Sequence, residues 1–228
     1  NLGRFEEALE ACDKAIEINP QSEDAWNNKG VTLWNLGRFE EALEAYDKAI
    51  EINPQSEDAW NNKDVTLRNL GRFEEALEAC DKAIEINPQS EDAWNNKGVT
   101  LWNLGRFEEA LEAYDKAIEI NPQSEDAWNN KGVALGSLGR FEEALEAYDK
   151  AIEINPQSED AWNNKGVALG SLGRFEEALE ACDKTIEINP QSENAWYNKG
   201  VTLRSLGRFE EALEAYDKAD EFNPAVKN

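Results

Sequence analysis

The fold is decided by the stretch from Glu23 to Ser56, which reads EDAWNNKGVTLWNLGRFEEALEAYDKAIEINPQS. The rest of the chain consists of near copies of this stretch. Tryptophans recur every 34 residues, at Trp26, Trp60, Trp94, Trp128, Trp162 and Trp196. A fixed period of this length is typical of repeat proteins whose units stack into a solenoid.

Composition limits the classes of partner. The formal net charge is −25, whereas nucleic acids and anionic membranes bind through dense Lys and Arg, so neither is expected as a partner. No apolar run approaches the roughly 18 residues of a membrane span, and no signal-peptide pattern opens the chain. A cytoplasmic location is therefore expected.

Each copy contains two predicted helices. The first helix of one copy is predicted from Glu57 to Asn69, behind the N-cap Ser56, and Gly71 ends it. The second is predicted from about Glu74 to Asn87, with one apolar stripe at 3-4 spacing. The first helix is apolar on two sides, as expected of a helix that is either covered twice or covered once and open to a ligand.

The charged face of each second helix is predicted to lie in water. Glu44 and Lys48 are spaced to form an i,i+4 ion pair on it. A Glu-Glu pair such as Glu40 and Glu41 occurs in seven copies, whereas catalytic carboxylates need one distinctive environment. There is also no metal-ligand spacing and no phosphate-binding glycine loop. We expect no enzymatic activity, no metal and no cofactor.

The chain divides into one partial and six complete copies, which predicts thirteen helices in a single array. The orphan second helix lies in residues 1–22, at about Phe5 to Asn19. The complete copies are 23–56, 57–90, 91–124, 125–158, 159–192 and 193–226, and 227–228 form a tail. Asp220 replaces an isoleucine of the other copies, as expected at the end of an array. We take the carboxyl end as natural and the amino end as truncated, and the uncovered terminal helices favour end-to-end self-association.

The signature residues of each copy resemble the tetratricopeptide repeat (TPR) over the whole chain. In one copy they are Trp26, Gly30, Leu33, Gly37, Phe39, Ala42, Tyr46, Ala49 and Pro54. The resemblance implies an all-α fold, a right-handed superhelical solenoid of antiparallel helix pairs with first helices on its concave wall. It also implies a protein that binds proteins or peptides and catalyses nothing.

Two positions depart from the family pattern. Lysine replaces an aliphatic residue in a column that begins at Lys29, where its stem can pack while its ammonium reaches water. Asp64 replaces a glycine, and a buried carboxylate without a partner would cost about 1–3 kcal/mol or more. We expect Asp64 to reach water or a donor such as a lysine, and its repeat to be looser.

The resemblance places the candidate binding residues on the concave wall. These are Asp24, Asn27, Asn28, Val31, Trp34 and Asn35 with their copies, among them Val99. One column forms a ladder of Asn28, Asn62, Asn96, Asn130, Asn164 and Asn198. It resembles the ladder with which O-linked N-acetylglucosamine transferases hold an extended peptide, since an amide both donates and accepts. The alternative is that these amides bridge neighbouring first helices, or point into water, and keep the array in register.

The column that varies most is Trp34, Arg68, Trp102, Gly136, Gly170 and Arg204. Exposed tryptophan and arginine are favoured in binding hot spots, so this column is a candidate for specificity. Drift after duplication is the alternative. The carboxylate clamp of chaperone-binding relatives is not expected, because Asp24 and Val31 stand where it needs a basic residue and an asparagine.

Three cysteines, Cys12, Cys80 and Cys182, share a column with tyrosines, and no purpose for this variation is visible in the sequence. They lie at least two repeats apart, too far for a disulfide, so free buried thiols in a reducing compartment are expected.

The sequence therefore predicts a protein-interaction scaffold that binds an extended peptide or a partner helix along its concave groove. The alternative is a structural spacer or a self-associating array with no ligand of its own, including a fragment of a larger protein.

Overall fold

A computed structural model describes residues 2–223, which form thirteen α-helices and no strand. The all-α prediction is confirmed for these residues. The helices are α1 (Leu2–Ile18), α2 (Glu23–Asn35), α3 (Phe39–Ile52), α4 (Glu57–Asn69), α5 (Phe73–Ile86), α6 (Glu91–Asn103), α7 (Phe107–Ile120), α8 (Glu125–Ser137), α9 (Phe141–Ile154), α10 (Glu159–Ser171), α11 (Phe175–Ile188), α12 (Glu193–Ser205) and α13 (Phe209–Phe222). The predicted tail at 227–228 lies outside the described residues.

The helices belong to two compact units, one ending at Ile120 and the other beginning at Asn121. The first unit contains α1 to α7 and the second contains α8 to α13. Within each unit every helix packs against the helix that precedes it and the one that follows it. Successive first helices, which carry even numbers, also contact each other: α2 with α4 and α4 with α6, and α8 with α10 and α10 with α12. Each unit is thus a short solenoid of helix pairs.

The helix ends follow local sequence signals. Ser56 is the N-cap of α4, and its Oγ accepts a hydrogen bond from the backbone N–H of Ala59 at 3.3 Å, which satisfies a donor that the helix leaves free. Gly71 has φ +72°, a conformation that favours glycine and turns the chain into α5. The predicted bounds of α4 are correct, but α5 begins and ends one residue earlier than predicted.

Two other expectations about helices were wrong. The orphan helix α1 begins at Leu2 rather than near Phe5, because Gly3 is helical and lacks the positive φ of its counterpart Gly71. Lys48 pairs with Glu51 at 2.6 Å rather than with Glu44. An i,i+3 ion pair is as accessible on a helix surface as an i,i+4 pair.

The two helices of a repeat meet where a glycine faces a tyrosine. A Cβ atom added to Gly30 would lie 2.4 Å from a ring carbon of Tyr46, far inside van der Waals contact. The same close approach occurs at Gly98 and Tyr114, Gly132 and Tyr148, and Gly200 and Tyr216. Glycine is therefore needed in these repeats because the tyrosine ring fills the space of a side chain.

Successive repeats are joined by the lysine column. Lys63 Nζ lies 2.6 Å from Asp47 Oδ1 on the second helix of the preceding repeat, and 5.3 Å from the ring centroid of Trp60. Equivalent ion pairs join Lys29 to Asp13, Lys97 to Asp81, Lys165 to Asp149, and Lys199 to Asp183. The ammonium is thus paired rather than simply solvated, and Asp47 does not belong to a purely solvated face. The lysine links two repeats through an ion pair and a cation–π contact.

Candidate peptide-binding face

The first-helix face is defined here as the side of the even-numbered helices that carries Asn27, Asn28, Val31, Trp34 and Asn35 and their copies. These residues are half-buried or exposed in α2. The Asn35 amide donates to the Val31 carbonyl of its own helix at 2.8 Å, so this asparagine helps to close the last turn of the helix.

The asparagine ladder makes hydrogen bonds between neighbouring first helices. In the first unit, Asn62 Nδ2 donates to Asn27 Oδ1 at 3.1 Å. In the second unit, Asn164 donates to Asn129 at 3.1 Å and Asn198 donates to Asn163 at 2.9 Å. The bridging role that was the alternative expectation is therefore present in these three hydrogen bonds. Each such bond between neighbouring first helices is called a rung of the ladder. Contact of the ladder with a peptide stays a prediction, and an amide that makes one such bond still has a second N–H and acceptor capacity.

The remaining ladder residues differ in their surroundings. Asn28 is exposed at the start of the ladder, and Asn130 is half-buried in α8. Asn96 is held differently from Asn62, because its Oδ1 accepts a hydrogen bond from Arg68 Nη2 at 3.0 Å. One rung of the first unit is therefore built from an arginine–amide bond.

Arg68 is oriented by Asp64, which is fully buried. Arg68 Nε lies 3.2 Å from Asp64 Oδ2, and Thr100 Oγ1 donates to Asp64 Oδ1 at 2.8 Å. Burial raises the pKa of Asp64, and Arg68 opposes that rise. The expectation of a donor is confirmed, but the donors are arginine and threonine rather than lysine, and Asp64 does not reach water. A carboxylate in the core is tolerable because both of its oxygens are paired.

The space for Asp64 comes from Cys80, which replaces the tyrosine of other repeats. The Cys80 thiol is buried and lies 3.9 Å from Thr100 Oγ1, which donates a hydrogen bond to Asp64, and burial strongly raises the pKa of Cys80. In the other cysteine repeat, a Cβ on Gly166 would meet Cys182 Sγ at an ordinary 3.5 Å. The exchange of tyrosine for cysteine therefore makes room for a side chain on the facing first helix, which was not predicted from the sequence. The Asp64 position and the Cys80 position are separated by the same number of residues in every repeat, and this constant separation could have indicated that they face each other.

The cysteines are free thiols, as expected. Cys80 and Cys182 are buried, whereas Cys12 is only half-buried, which corrects the expectation for that residue. Cys12 lies on α1, whose one helix neighbour within the described residues is α2. Burial raises the pKa of Cys182 to about 11, so this thiol stays protonated at neutral pH.

An apolar cleft of about 270 Å³ opens on the first-helix face of the first unit. It is lined by Val31, Trp34, Asn35, Tyr46, Asn62 and Val65. Val31 is 38 % exposed. The Trp34 ring packs edge-on against Phe39, with 6.1 Å between the ring centroids. The buried Trp34 Nε1 donates no hydrogen bond within the described chain. The cleft thus combines apolar walls with a donor that lacks an acceptor.

The other members of the variable column do not share one environment. The ring centroids of Trp102 and Phe107 lie 6.4 Å apart. Val99, beside Trp102, is half-buried. Arg204 is exposed, unlike Arg68. A Cβ on Gly170 would meet no atom within 4 Å, so the wall is open there.

A polar cleft of about 370 Å³ adjoins the apolar one, and the two share Asn62 and Val65. Its lining includes Asn27, Asp58, Asn61, Asn62, Asp92 and Asn96. Burial raises the pKa of Asp92, and the neighbouring carboxylates Glu91, Glu57 and Asp58 raise it further. The cleft is therefore rich in hydrogen-bond acceptors and carries negative charge.

Within residues 2–223, no group of three or more acidic, cysteine or histidine side chains is placed to hold a metal ion. No helix in the same range is both long and apolar enough to cross a membrane.

Stacked helix pairs with a 34-residue period and a glycine packed against a tyrosine define a helical repeat protein. The chain belongs to the tetratricopeptide repeat family. Family models described as tetratricopeptide repeat match residues 65–125, 95–159, 129–193 and 166–226, and further ones match 23–56 and 45–78. A model described as TPR repeat matches residues 1–37. No curated protein matches the chain.

Many solved structures resemble the chain. YrrB, whose structure is described as a TPR protein with an unusual peptide-binding site, is 30 % identical with a TM-score of 0.62. That match covers 84 % of this chain and 99 % of YrrB. MamA is 27 % identical, with a TM-score of 0.63 over 70 % of this chain and 93 % of MamA.

A TPR protein from Parabacteroides merdae ATCC 43184 is 20 % identical, with a TM-score of 0.79 over 98 % of this chain and 90 % of that protein. At this identity the likeness concerns the fold alone.

Proposed function

We propose that the chain is a protein-interaction scaffold that binds an extended peptide on its first-helix face. The observation that carries this proposal is the pair of adjoining clefts in the first unit, one apolar and one polar, which share Asn62 and Val65. Side chains of an extended peptide alternate in direction and repeat along one side every two residues. Two neighbouring clefts of different chemistry therefore suit two side chains of one extended segment.

Unsatisfied groups on this face match the backbone of such a peptide. The buried Trp34 Nε1 lacks an acceptor, and a peptide carbonyl supplies one. The Asn62 amide uses one N–H in the ladder and lies between the two clefts, where its remaining capacity can serve a peptide bond. An extended peptide offers unpaired backbone groups, whereas a partner helix pairs its own. The amide ladder therefore favours an extended ligand.

The likeness to YrrB supports the same proposal, because YrrB is described as having a peptide-binding site. Its match spans nearly the whole of YrrB and most of this chain. The proposal nevertheless depends on the side chains of the first unit, since a shared repeat fold alone does not define a ligand.

The test is a selection of linear peptides from a random library on the folded chain. The selected peptides are then measured by fluorescence anisotropy against Trp34→Gly, which introduces a residue that α8 and α10 carry at this position. We expect at least a tenfold loss of affinity. Arg204→Gly changes the same column in α12 and is expected to bind as tightly as the unchanged chain. A library that yields no binder, or binders that ignore Trp34→Gly, would contradict the proposal.

The second candidate function is end-to-end self-association through α13. Phe209 and Leu213 are 68 % and 62 % exposed, whereas Leu43, at the position equivalent to Leu213, is 8 % exposed and packs with Leu67. An exposed apolar helix face of this kind suits contact with a second copy of the chain. Sedimentation across a concentration series tests this: the unchanged chain should associate and Leu213→Glu should not. Glu210→Gln, next to this surface, is the control, and equal association of all three would exclude α13 as the interface.

A further inference from the structure

The amide ladder of the first unit is interrupted at one rung, and the interruption leaves an acceptor unpaired. Between α2 and α4, the Asn62 amide donates to the Asn27 carbonyl oxygen. At the next rung the equivalent acceptor is Asn61 Oδ1, which is buried and accepts no hydrogen bond within the described chain. A buried amide oxygen without a donor is destabilising, and native proteins seldom retain one without a reason.

The cause of the interruption is the pair Asp64 and Arg68. Asp64 holds Arg68 Nε at 3.2 Å, and Arg68 Nη2 donates to Asn96 Oδ1 at 3.0 Å. With its oxygen turned towards the guanidinium, the Asn96 amide makes no bond to Asn61. The second unit has no counterpart of this pair, because Gly132, Gly166 and Gly200 stand at the Asp64 position. There the rungs from Asn164 to Asn129 and from Asn198 to Asn163 are intact.

Asn61, whose oxygen is unpaired, lines the polar cleft together with other hydrogen-bond acceptors and with carboxylates. Asn61, Asp58, Asp92 and Asn96 all line this cleft of about 370 Å³. Asp58 and Asp92 are exposed on its rim, so they are open to a ligand. No lysine or arginine is among the lining residues.

We propose that this cleft is a subsite for the cationic side chain, lysine or arginine, of a bound peptide. The inference rests on the proposed peptide-binding function and names the chemistry of one of its ligand side chains. An ammonium or guanidinium supplies several N–H donors and a positive charge. One N–H pairs with Asn61 Oδ1, and the charge is compensated by Asp58 and Asp92. A neutral donor could satisfy the oxygen but would leave the two carboxylates uncompensated.

The electrostatics of Asp92 agree with this assignment. Although Asp92 is exposed, partial desolvation of its carboxyl is the first cause of its raised pKa, followed by Glu91, Glu57 and Asp58. A cation beside these carboxylates offsets their mutual repulsion, so its binding favours the charged form of Asp92.

Capped arginine tests the subsite without a peptide sequence. N-acetyl-arginine N-methylamide is titrated into the isotope-labelled chain, and the side-chain amide signals of Asn61 and Asn96 are followed by NMR. The neutral isostere, capped citrulline, is titrated in parallel. We expect saturable shifts at these amides with arginine and binding at least fivefold tighter than with citrulline.

Two variants separate the subsite from general attraction to an acidic protein. Asp92→Asn should weaken arginine binding at least fivefold, whereas Asp160→Asn removes the same charge from the equivalent position of the second unit and should leave the Asn61 shifts unchanged. Asp64→Gly combined with Arg68→Trp makes the sequence of α4 identical to that of α2. It should restore the rung and remove the preference for arginine.

Equal binding of arginine and citrulline, or equal effects of Asp92→Asn and Asp160→Asn, would overturn the subsite. This result is independent of the peptide selection. Selected peptides that bind the first-helix face while capped arginine shows no preference would refute the subsite alone. A specific arginine site in a chain that selects no peptide would refute the peptide-binding function alone.

Discussion

Asp64 and Cys80 together occupy the space that a glycine and a tyrosine fill in four other repeats. The Asp64 side chain is fully buried and is hydrogen-bonded by Arg68 and Thr100, where a tyrosine would leave no room for a Cβ atom. Replacing Cys80 alone by tyrosine therefore breaks a matched pair, whereas a glycine facing a cysteine already occurs at Gly166 and Cys182. The match also explains why Arg68 turns into the wall while Arg204 stays exposed.

The Asp64–Cys80 match predicts strong coupling between the two positions. Cys80→Tyr should destabilise the chain by about 1–3 kcal/mol, because the ring would overlap the Asp64 side chain. Adding Asp64→Gly should recover most of that loss by restoring the pair found in the other repeats. A double-mutant cycle from urea unfolding measures the coupling, expected at about 0.5–3 kcal/mol. Additive effects would show that the two side chains do not compete for space.

Glycine at the helix contact is required only where a tyrosine faces it. Gly132→Ala should destabilise by about 1–3 kcal/mol, since its Cβ would lie 2.4 Å from the Tyr148 ring. Gly166→Ala faces Cys182 at 3.5 Å and should stabilise by about 0.5–1 kcal/mol through helix propensity. Thermal and urea unfolding of the two variants compare the same substitution in one unit, and a loss of stability in both would refute the explanation.

Burial of Asp64 predicts a pH effect of defined sign. The pKa of Asp64 is raised in the folded chain, so the folded state binds its proton more readily than the unfolded state does. The stabilisation from this proton is complete below the unfolded pKa of about 3.9 and is lost as pH rises through the folded pKa. The free energy of unfolding of the unchanged chain, relative to Asp64→Asn, should therefore increase from pH 7 towards pH 4.

The comparison with Asp64→Asn cancels the pH-dependent contributions to stability of the carboxylates that both chains share. Glu41, whose pKa is lowered by Arg38, is one of them. A difference in stability that is constant across this pH range would contradict the burial of an ionisable group at position 64.

The lysine column predicts that inter-repeat ion pairs contribute more than those within a helix. Lys63→Met keeps the apolar stem but loses the ion pair to Asp47 and the contact with Trp60, at an expected cost of about 0.5–1.5 kcal/mol. Lys82→Met loses an exposed pair with Glu85 and should cost clearly less stability than Lys63→Met does. Urea unfolding at low salt measures both, and equal costs would show that the repeats are not linked through Lys63.

Much of the fold follows from the sequence because its signals are local and repeated. Ser56 and Gly71 bracket the turns that separate the helices, and the bounds of α4 follow from them. Side-chain partners follow less well, because they depend on which helices become neighbours. Lys63 pairs with Asp47 across a repeat boundary, a contact that the charge pattern of one helix does not reveal.

The candidate site likewise has features that the sequence predicts and contacts that it does not. The sequence identifies the asparagine ladder and the variable column, since both are defined by position in the repeat. It does not predict that Arg68 would bond to Asn96, because this requires Asp64, Cys80 and a neighbouring repeat to be considered together. The two clefts are likewise formed between helices and have no signature within a single repeat.

The central claim is that a peptide lies on the first-helix face, and hydrogen–deuterium exchange tests it most directly. The exchange of backbone amides is measured with and without a library-selected peptide at saturating concentration. We expect added protection in α2, α4 and α6, whose side chains line the two clefts, and little change on the exposed face of α3 and α5. Protection confined to α3 and α5, or to α13 alone, would contradict it.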